Sequence, residues 1–532
     1  MSPKTIVIGG GNNALVLAAY LAKAGYKVII LESRDQVGGA AFTDTTTFPG
    51  FKISTFSYLN SLFSPKIVDD LELKRHGYEV LPRSPSSCTP LPSGEALLLG
   101  PDMAFNQEQI AQFSKRDAEV YPEYERQLSE LGEWMARMMA MAPSSSWRDI
   151  KSLVRFMAHC LRLGLIPIRV YRLLKLLFTD PVKYLDAKHG GWFESDVLIA
   201  TLITDALIGA TKLSGYVLLH HVMGEAGGAR GIWGYQRGGM GGISKALAAA
   251  CKEYGVEIIC NAHVTRIELD PRTFGVQGVW AYVKVGTSSI VCLTRYPADI
   301  VVSAINPTIT FGKLLKNVRR LDDIRQKVIS RDSESGSMKV NLTLRGLPDF
   351  KAMQGTIPGP QHQGTIHIAP SVQYVLDALG DYKAGTSSAR PILEITIPSV
   401  VDTTLAPDGC HVMNIFVQFV RYDEDGKRYF RDVILPLMRE YISNIDEIIT
   451  GVQTLTPRDI ERELGMVDGN IFHGGMGPDQ LWWNRPARGI ADYRVPGIKG
   501  LYLSGAGMHP GGGVSGGPGY NTAHVILSDI GS

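Results

Sequence analysis

The stretch that decides the fold is residues 5–39, which read TIVIGGGNNALVLAAYLAKAGYKVIILESRDQVGG. Its first four residues form an apolar run typical of a buried parallel strand, and a helical pattern then extends to Ala24. A second apolar run, residues 27–31, ends in the acidic residue Glu32. This succession predicts a strand, a helix and a second strand arranged as a βαβ unit.

The turn between the first strand and the helix has the spacing G-x-G-x-x-A, with Gly9, Gly11 and Ala14 at the fixed positions. Gly9 permits a tight turn, Gly11 leaves room for a pyrophosphate, and Ala14 allows close packing of helix on strand. The free N–H groups at the helix start suit phosphate oxygens. Glu32 is placed to accept a hydrogen bond from a ribose 2′-hydroxyl, which argues against NADP. The region predicts a dinucleotide site; the alternative is a glycine-rich turn without a ligand.

Composition limits the remaining choices. The 532 residues are too many for one hydrophobic core, so we expect two or more domains. The 54 Lys and Arg residues balance 52 Asp and Glu residues, which gives no overall attraction to nucleic acid. The six cysteines form no C-x-x-C pair, which argues against disulfides, a zinc cluster and a redox dithiol. Without a spanning apolar run or room for a leader, we expect a cytoplasmic protein.

Shifts in composition divide the chain into two interleaved domains. Residues 1–80, 226–309 and 466–532 are assigned to the nucleotide-binding domain, and residues 81–225 and 310–465 to a second domain. From about residue 105 the first insertion reads mostly helical, whereas the second mixes strands and helices. Residues 275–303 look like antiparallel strands. The expected fold class is α/β, a Rossmann-like domain with an interleaved α+β domain.

Four blocks resemble the phytoene desaturase and carotenoid isomerase family of flavoproteins, within the amine oxidase-like superfamily. They are IGGGNNALVLAAYLAKAGYKVIILESRDQVGGAA, YQRGGMGGISKALAAACKEYGVEIICNAHVTRI, ADIVVSAINPTITF and GIKGLYLSGAGMHPGGGVSGGPGYNTA. Together with HHVMG and GNIFHG they most resemble the branch named for a pyridine nucleotide-disulfide oxidoreductase domain. The chain lacks the dithiol of disulfide reductases and a second complete fingerprint for NAD. The simpler interpretation is one site for tightly held, non-covalent FAD, in an amine oxidase-like architecture.

The resemblance also implies which residues hold the cofactor. The last block would place main-chain N–H groups and a helix start near the flavin, and Val264 matches a position whose main chain contacts the adenine. Ser303 and Ala304 match a turn that passes the cofactor. The full predicted set is Gly9, Gly11, Asn12, Asn13, Ala14, Glu32, Ser33, Gly38, Gly39, Ala40, Val264, Ser303, Ala304, Gly505, Gly513 and Val514. The alternative for each is an ordinary strand or loop residue.

No catalytic acid, base or metal ligand set is fixed by the sequence. His509, His221 and His473 are weak candidates for catalytic residues. His509 would border the flavin or serve a structural role. His220 and His221 are helix neighbours that point about 100° apart, so they do not share one metal ion easily.

The resemblance implies FAD-dependent oxidation of CH–CH to C=C in an extended hydrophobic, isoprenoid- or polyene-like substrate, with electrons passed to oxygen or a quinone. The alternatives are a polyene isomerase or saturase, an amine oxidase, and a non-catalytic membrane or assembly factor. Residues 151–178 combine apolar and basic residues without an acid, which indicates two amphipathic helices. They would contact an anionic membrane or cover the second domain. The expected partner is a hydrophobic small molecule, with no nucleic acid, and the oligomeric state is left open.

Overall fold

Five parallel strands carry the N-terminal fingerprint in the computed structural model, which describes residues 3–143, 167–226, 229–230, 233–284 and 290–531. In spatial order the strands are Glu257–Ile259, Lys27–Leu31, Lys4–Ile8, Ile300–Ser303 and Leu501–Leu503. Their apolar runs suit a sheet that is covered on both faces. Three distant parts of the chain therefore build this parallel sheet, and the predicted Rossmann-like fold is confirmed.

Three helices surround the fingerprint. Asn12–Lys23 follows the first strand and packs against both Gly517–Ile530 and Gly241–Glu253. The contact between the first and last of these helices is close at Gly519, where an added Cβ would lie 2.1 Å from the main-chain oxygen of Asn13. The C-terminal helix is therefore seated directly against the start of the N-terminal helix.

The prediction for residues 275–303 is wrong in its last part. Val276–Lys284 pairs antiparallel with both Ala262–Leu269 and Val291–Pro297, as expected. Ile300–Ser303 instead joins the parallel sheet between Lys4–Ile8 and Leu501–Leu503, and all four of its residues are buried. A short apolar run that is covered on both faces is typical of a central parallel strand, which explains the difference.

A seven-stranded sheet forms the second domain. Its spatial order is Ile449–Leu455, Ser337–Leu344, His411–Gln418, Ile392–Thr396, Thr365–Ile368, Ser87–Pro90 and Ala96–Leu99. The pairing is antiparallel except between Thr365–Ile368 and Ser87–Pro90. The last two strands come from the first insertion, so both insertions contribute to one sheet.

The first insertion is otherwise mainly helical where the structure describes it. Its helices are Met103–Ala111, Lys115–Met139, Pro167–Phe178, Pro181–Leu185, Asp196–Thr204 and Gly215–Val222. Their apolar faces form one cluster that also includes Phe472, Met476 and Leu481 from the C-terminal third of the chain. Of the predicted amphipathic pair at 151–178, residues 151–166 lie outside the described part of the chain.

Short elements complete the architecture. The paired short strands are Thr43–Asp44 with Ile53–Ser54, Val80–Leu81 with Tyr235–Gln236, and Glu225–Ala226 with Ala229–Arg230. The remaining α-helices are Pro65–Asp70, Pro307–Ile309, Asp322–Ile329, Pro360–Gln363, Val372–Lys383, Gly426–Tyr429, Leu435–Tyr441, Ile445–Ile448 and Pro457–Leu464. Among the helices that the structure describes, none has the length and apolar character needed to cross a membrane.

Candidate functional site

The N-terminal turn leaves an open space beside the first helix. Gly9 has a φ of +91°, a conformation that favours glycine, and Gly11 is the residue that precedes helix Asn12–Lys23. No side chain caps this helix start, and a Cβ added at Gly11 would meet no protein atom within 4 Å. Gly38 donates from its main-chain nitrogen to the oxygen of Gly10 at 2.8 Å, which places Gly38 and Gly39 against the same turn. The turn is thus shaped for a ligand that needs main-chain donors.

Two buried amide side chains at the helix start support the same interpretation. Asn12 and Asn13 are each 9% exposed. The Nδ2 atom of Asn12 and the Oδ1 atom of Asn13 find no hydrogen-bond partner within the described ranges of the chain. Buried polar atoms without partners are rare in folded proteins. The free donor of Asn12 therefore fits an oxygen of the FAD pyrophosphate at this helix start, and the free acceptor of Asn13 fits a hydroxyl of the same ligand.

Glu32 is held in place by the chain itself. One of its carboxylate oxygens accepts from the main-chain nitrogen of Gly10 at 2.6 Å. The other accepts from the main-chain nitrogen of Arg34 at 2.9 Å and from the hydroxyl of Ser33 at 3.2 Å. A carboxylate has about four acceptor positions, so this fixed group retains capacity for a ribose hydroxyl. Glu32 thus also stabilises the glycine-rich turn, through the hydrogen bond that it accepts from Gly10.

Main-chain hydrogen bonds locate two further predicted contacts, Val264 and Ala40. The main-chain nitrogen of Ala262 donates to the oxygen of Glu32 at 2.8 Å, and Val264 follows two residues later, 7% exposed. The oxygen of Ala40 accepts from the main-chain nitrogen of Ser57 at 3.2 Å. The strand that contains Val264 is therefore joined to Glu32, and the contact of Val264 with an adenosine stays a prediction.

The carboxyl ends of three strands meet beside the fingerprint. Ala304 donates from its main-chain nitrogen to the oxygen of Ile8 at 3.0 Å, and Ser504 donates to the oxygen of Ser303 at 2.8 Å. A Cβ added at Gly505 would lie 2.6 Å from the oxygen of Ala304. Strand Lys4–Ile8 has Lys27–Leu31 on one side and Ile300–Ser303 on the other. In open α/β sheets, ligands bind in the crevice where the strand order changes direction in this way. Ser303, Ala304 and Gly505 are thus brought to the crevice that Gly9 opens.

The C-terminal turn carries a strained residue. Gly513 has a φ of +110°, and Val514 has a φ of +57°, which is unusual for a β-branched residue. A Cβ added at Gly513 would lie 2.6 Å from Leu62 and 2.9 Å from the imidazole of His220. Strained main chain of this kind is concentrated at functional sites. This observation supports the assignment of Gly513 and Val514 to the flavin end of the site.

The three histidine candidates differ in position. His509 is fully buried, and its ring lies 4.6 Å from that of Trp482. Burial and the charge of Arg485 lower the pKa of His509 to about 3. Burial and the charges of Arg485 and Arg331 lower the pKa of His473 to about 4. Both imidazoles are therefore neutral at pH 7, whereas the side chain of His221 lies outside the described parts of the structure.

Two residues of this region were not selected from the sequence. Arg485 is fully buried and donates to the main-chain oxygens of Phe472, Gly475, Ala506 and Met508. It therefore joins the loop that contains His473 to the turn that contains His509. His220, which is 3% exposed, lies against Gly513. Arg485 belongs to none of the quoted motifs, whereas His220 begins HHVMG, and the positions of both residues depend on contacts between distant segments.

Comparison with known proteins agrees with this geometry. Residues 7–69 match the family described as an NAD(P)-binding Rossmann-like domain, and residues 187–343 match flavin containing amine oxidoreductase. Pyridine nucleotide-disulfide oxidoreductase domain-containing protein 2 of Rattus norvegicus is 38% identical over 561 residues, which cover 99% of this chain and 93% of the rat protein. Phytoene desaturase (lycopene-forming) of Pantoea ananas is 24% identical over 548 residues and covers both chains completely.

A solved structure shows the same fold. Cyclohexylamine oxidase from Brevibacterium oxydans aligns over 100% of both chains with a TM-score of 0.55 and 16% identity. This structure confirms the amine oxidase-like architecture, and the matching flavin-containing family and the sequence relatives confirm the FAD cofactor and the oxidoreductase class expected from the sequence. The chain belongs to the pyridine nucleotide-disulfide oxidoreductase domain-containing protein 2 family of FAD-dependent oxidoreductases, which is related to the phytoene desaturases.

Proposed function

We propose that this oxidoreductase dehydrogenates an extended apolar substrate of isoprenoid or polyene type, converting CH–CH to C=C. When bound, FAD would supply the two-electron acceptor for the hydride of a substrate C–H bond, with oxygen or a quinone as the final acceptor. The neighbouring carbon of the substrate loses a proton. The substrate thus loses two hydrogens, and the acceptor takes up two electrons and two protons.

The apolar surroundings of the C-terminal turn carry this proposal. Added Cβ atoms would lie 2.9 Å from Met476 at Gly511 and 2.8 Å from Phe472 at Gly512. Phe472 and Met476 belong to the apolar cluster that the helices of the first insertion form. The turn assigned to the flavin therefore borders the apolar helical region, with the buried guanidinium of Arg485 also close to Gly511. Burial of a hydrocarbon chain against the apolar part of these surroundings is favourable.

The nearby polar residues suit positioning better than proton transfer. An efficient general base has a pKa close to the working pH, and the low pKa values of His509 and His473 make both poor bases at pH 7. We assign His509, stacked on Trp482, to the wall of the site. Arg485 fixes the loop and the turn relative to each other, so that a substrate meets a rigid surface.

Sequence relatives support the same chemistry. The phytoene desaturase of Pantoea ananas aligns with the full length of this chain, although at only 24% identity. The similarity to cyclohexylamine oxidase concerns the fold alone. We therefore propose dehydrogenation between two carbon atoms as the function. Amine oxidation is the competing function that the experiment must distinguish from it.

The test uses the FAD-loaded protein without oxygen. Squalene, farnesol, cyclohexylamine and putrescine are added separately, and the flavin absorption and the mass of the organic product are measured. We expect an isoprenoid to bleach the flavin and to yield a product that lacks two hydrogens. Bleaching by the amines alone, turnover of isoprenoids only after prior reduction of the flavin, or no bleaching by any compound would each overturn the proposal.

A further inference from the structure

The seven-stranded sheet has one apolar and one polar face, although both are buried. Alternate residues of a strand point to opposite faces. Met338, Val340, Leu393, Ile395, Met413 and Ile415 belong to the apolar core cluster on one side. The residues between them form what we call the polar face: Lys339, Asn341, Glu394, Thr396, Asn414 and Gln418. Each of these six side chains is at most 2% exposed.

The strand register brings these six residues together. Lys339 and Glu394 both pair with Phe416 on the strand between them. Asn341 and Thr396 both pair with Asn414 in the next row. Directly opposite residues of neighbouring strands have Cβ atoms about 5 Å apart. The six polar residues therefore occupy one region of this face across three strands, with Phe416 between Lys339 and Glu394.

The patch contains many polar atoms without partners. The ammonium of Lys339, the hydroxyl of Thr396 and both amide atoms of Asn414 make no hydrogen bond to any part of the chain that the structure describes. The same holds for one polar atom each of Asn341, Glu394 and Gln418. Leaving a buried donor or acceptor unsatisfied destabilises a fold, so a cluster of such atoms is a place where water or a ligand completes the hydrogen bonds.

The polar face lies on the side of the cofactor blocks. The amide of Asn341 donates to the main-chain oxygen of Thr55 at 3.1 Å, and the ammonium of Lys339 lies 4.2 Å from the centre of the Tyr58 ring. The hydroxyl of Tyr58 donates to Glu394 at 3.1 Å. The segment that contains Thr55 and Tyr58 is also bonded to both ends of the proposed site, through Ser57 to the oxygen of Ala40 and through Ser64 to the oxygen of Ser515.

We infer that the polar face binds one end of the substrate, and that this end is a neutral group with hydrogen-bond donors and acceptors, such as an alcohol or amide on an apolar chain. This inference rests on the proposed function and narrows its substrate from hydrocarbons to chains with a polar head. The available atoms include donors on Lys339, Asn414 and Gln418 and acceptors on Asn341 and Asn414. Burial raises the pKa of Glu394 to about 8, so this carboxyl is largely protonated at neutral pH and offers little counter-charge to a cationic head, and burial lowers the pKa of Lys339.

Matched ligands test the head group. Farnesol and β-farnesene share an isoprenoid chain but differ in the hydroxyl, and farnesylamine carries a cation instead. Each is titrated into the FAD-loaded protein while the shift in the flavin spectrum is followed. We expect farnesol to produce the shift at a concentration at least tenfold lower than either of the others. Equal or tighter binding of β-farnesene or of farnesylamine would overturn the inference.

Matched variants test the residues. Thr396→Val removes a hydroxyl that has no partner among the described residues, so the folded protein should keep or gain thermal stability and lose the preference for farnesol. Thr343→Val is the control. Thr343 lies on the same strand and face as Lys339, but its hydroxyl has a partner, the hydroxyl of Thr450 at 2.9 Å. The Thr343→Val substitution should lower thermal stability and retain the preference for farnesol. An unchanged preference in Thr396→Val, or a loss of stability equal to that of the control, would contradict the inference.

The two proposals fail in different ways. If the protein dehydrogenates β-farnesene as readily as farnesol, the proposed function stands and the assignment of the polar face is wrong. If farnesol binds with the expected preference but only amines bleach the flavin, the polar face is supported and the proposed function is wrong.

Discussion

Gly11 shows how the absence of a side chain prepares a ligand site. Its main chain has φ −67° and ψ 168°, which alanine also adopts, and the space where a Cβ would stand is open. Protein packing therefore does not require glycine here. The requirement comes from the ligand, because a methyl group would occupy the space in which the pyrophosphate approaches the helix start.

We expect Gly11→Ala to weaken FAD binding at least tenfold, or about 1.4 kcal/mol, while the apoprotein keeps its melting temperature. The measurements are flavin retention after dialysis and a thermal melt of the apoprotein. Gly380→Ala is a matched control, since its Cβ also meets open space but lies in helix Val372–Lys383, on the second domain. Normal FAD retention in Gly11→Ala would contradict the assignment of this turn.

The buried carboxyl of Glu394 makes the stability of the fold depend on pH. Burial and the nearby Asp205 raise its pKa to about 8, although the hydrogen bond from Tyr58 opposes this. In the unfolded chain the pKa returns to about 4.5. A group whose pKa is higher in the folded state than in the unfolded state stabilises the fold when the pH is below the unfolded-state pKa. This contribution is lost as the pH rises toward the folded-state pKa.

Glu394→Gln should therefore become more stable relative to the natural protein as pH rises from about 4.5 to about 8, by at most about 1.4 kcal/mol per pH unit. Urea unfolding of both proteins at pH 5 and pH 8 measures this difference. The exposed Glu119 supplies the control, and Glu119→Gln should follow the natural protein at both pH values. If the free energies of unfolding of Glu394→Gln and the natural protein differed by the same amount at pH 5 and pH 8, Glu394 would have the same pKa in the folded and unfolded states.

At the scale of single elements, helix Pro167–Phe178 has an apolar stripe that no other part of the described chain covers. Its exposed apolar residues are Ile168 (48%), Tyr171 (63%), Leu174 (48%) and Phe178 (72%). Their spacing of three or four residues places them along one side of the helix. Leu173 and Leu176 face the interior instead, where they join the helical cluster. Because Arg169, Arg172 and Lys175 accompany the stripe, we propose that this helix binds an anionic membrane surface.

The double substitution Tyr171→Ser and Phe178→Ser should lower binding to phosphatidylglycerol vesicles at least tenfold, or about 1.4 kcal/mol, because it removes apolar area from the stripe. Vesicle co-sedimentation measures the effect, and phosphatidylcholine vesicles should bind the natural protein more weakly. Ile357→Ser, at a residue that is 76% exposed on another part of the protein, is the control and should bind normally. Equal binding of all three proteins would refute the membrane contact.

At the scale of the whole molecule, the cofactor is expected to join distant segments. The proposed site combines residues 9–14, 303–304 and 505–514, whose main chains meet at the carboxyl edge of the parallel sheet. A ligand that binds only the folded chain stabilises it, by about 4 kcal/mol when its concentration is a thousandfold above the dissociation constant. FAD therefore acts as a link between the ends of the chain.

Removal of FAD should lower the melting temperature and increase hydrogen exchange in those three segments together. Strand Ser337–Leu344, at the centre of the other sheet, should keep its protection and serves as an internal reference. Exchange measured by mass spectrometry on the apoprotein and the FAD-loaded protein checks this expectation. An increase confined to residues 9–14 would show that the C-terminal turn does not hold the cofactor.

The sequence permits prediction of features that are encoded locally. Gly9, Gly11 and Glu32 lie in one short stretch with fixed spacing, so their positions at the strand end follow from chain geometry. The polar face does not, because Lys339 and Glu394 are placed on either side of Phe416 only through the order of strands in the seven-stranded sheet. Arg485 likewise gains its partners when two separate loops come together. Strands Ser87–Pro90 and Ala96–Leu99 were missed because they are short and lie between Ser- and Pro-rich turns.

The strand order of the parallel sheet has a consequence for biosynthesis. Leu501–Leu503 pairs with Ile300–Ser303, so one side of Ile300–Ser303 lacks its partner strand until nearly the whole described chain has left the ribosome. Throughout that interval an apolar strand of the nascent polypeptide is uncovered and prone to wrong pairing. Protection of that edge by a chaperone during translation is therefore expected, and acquisition of the coenzyme becomes a late event in maturation.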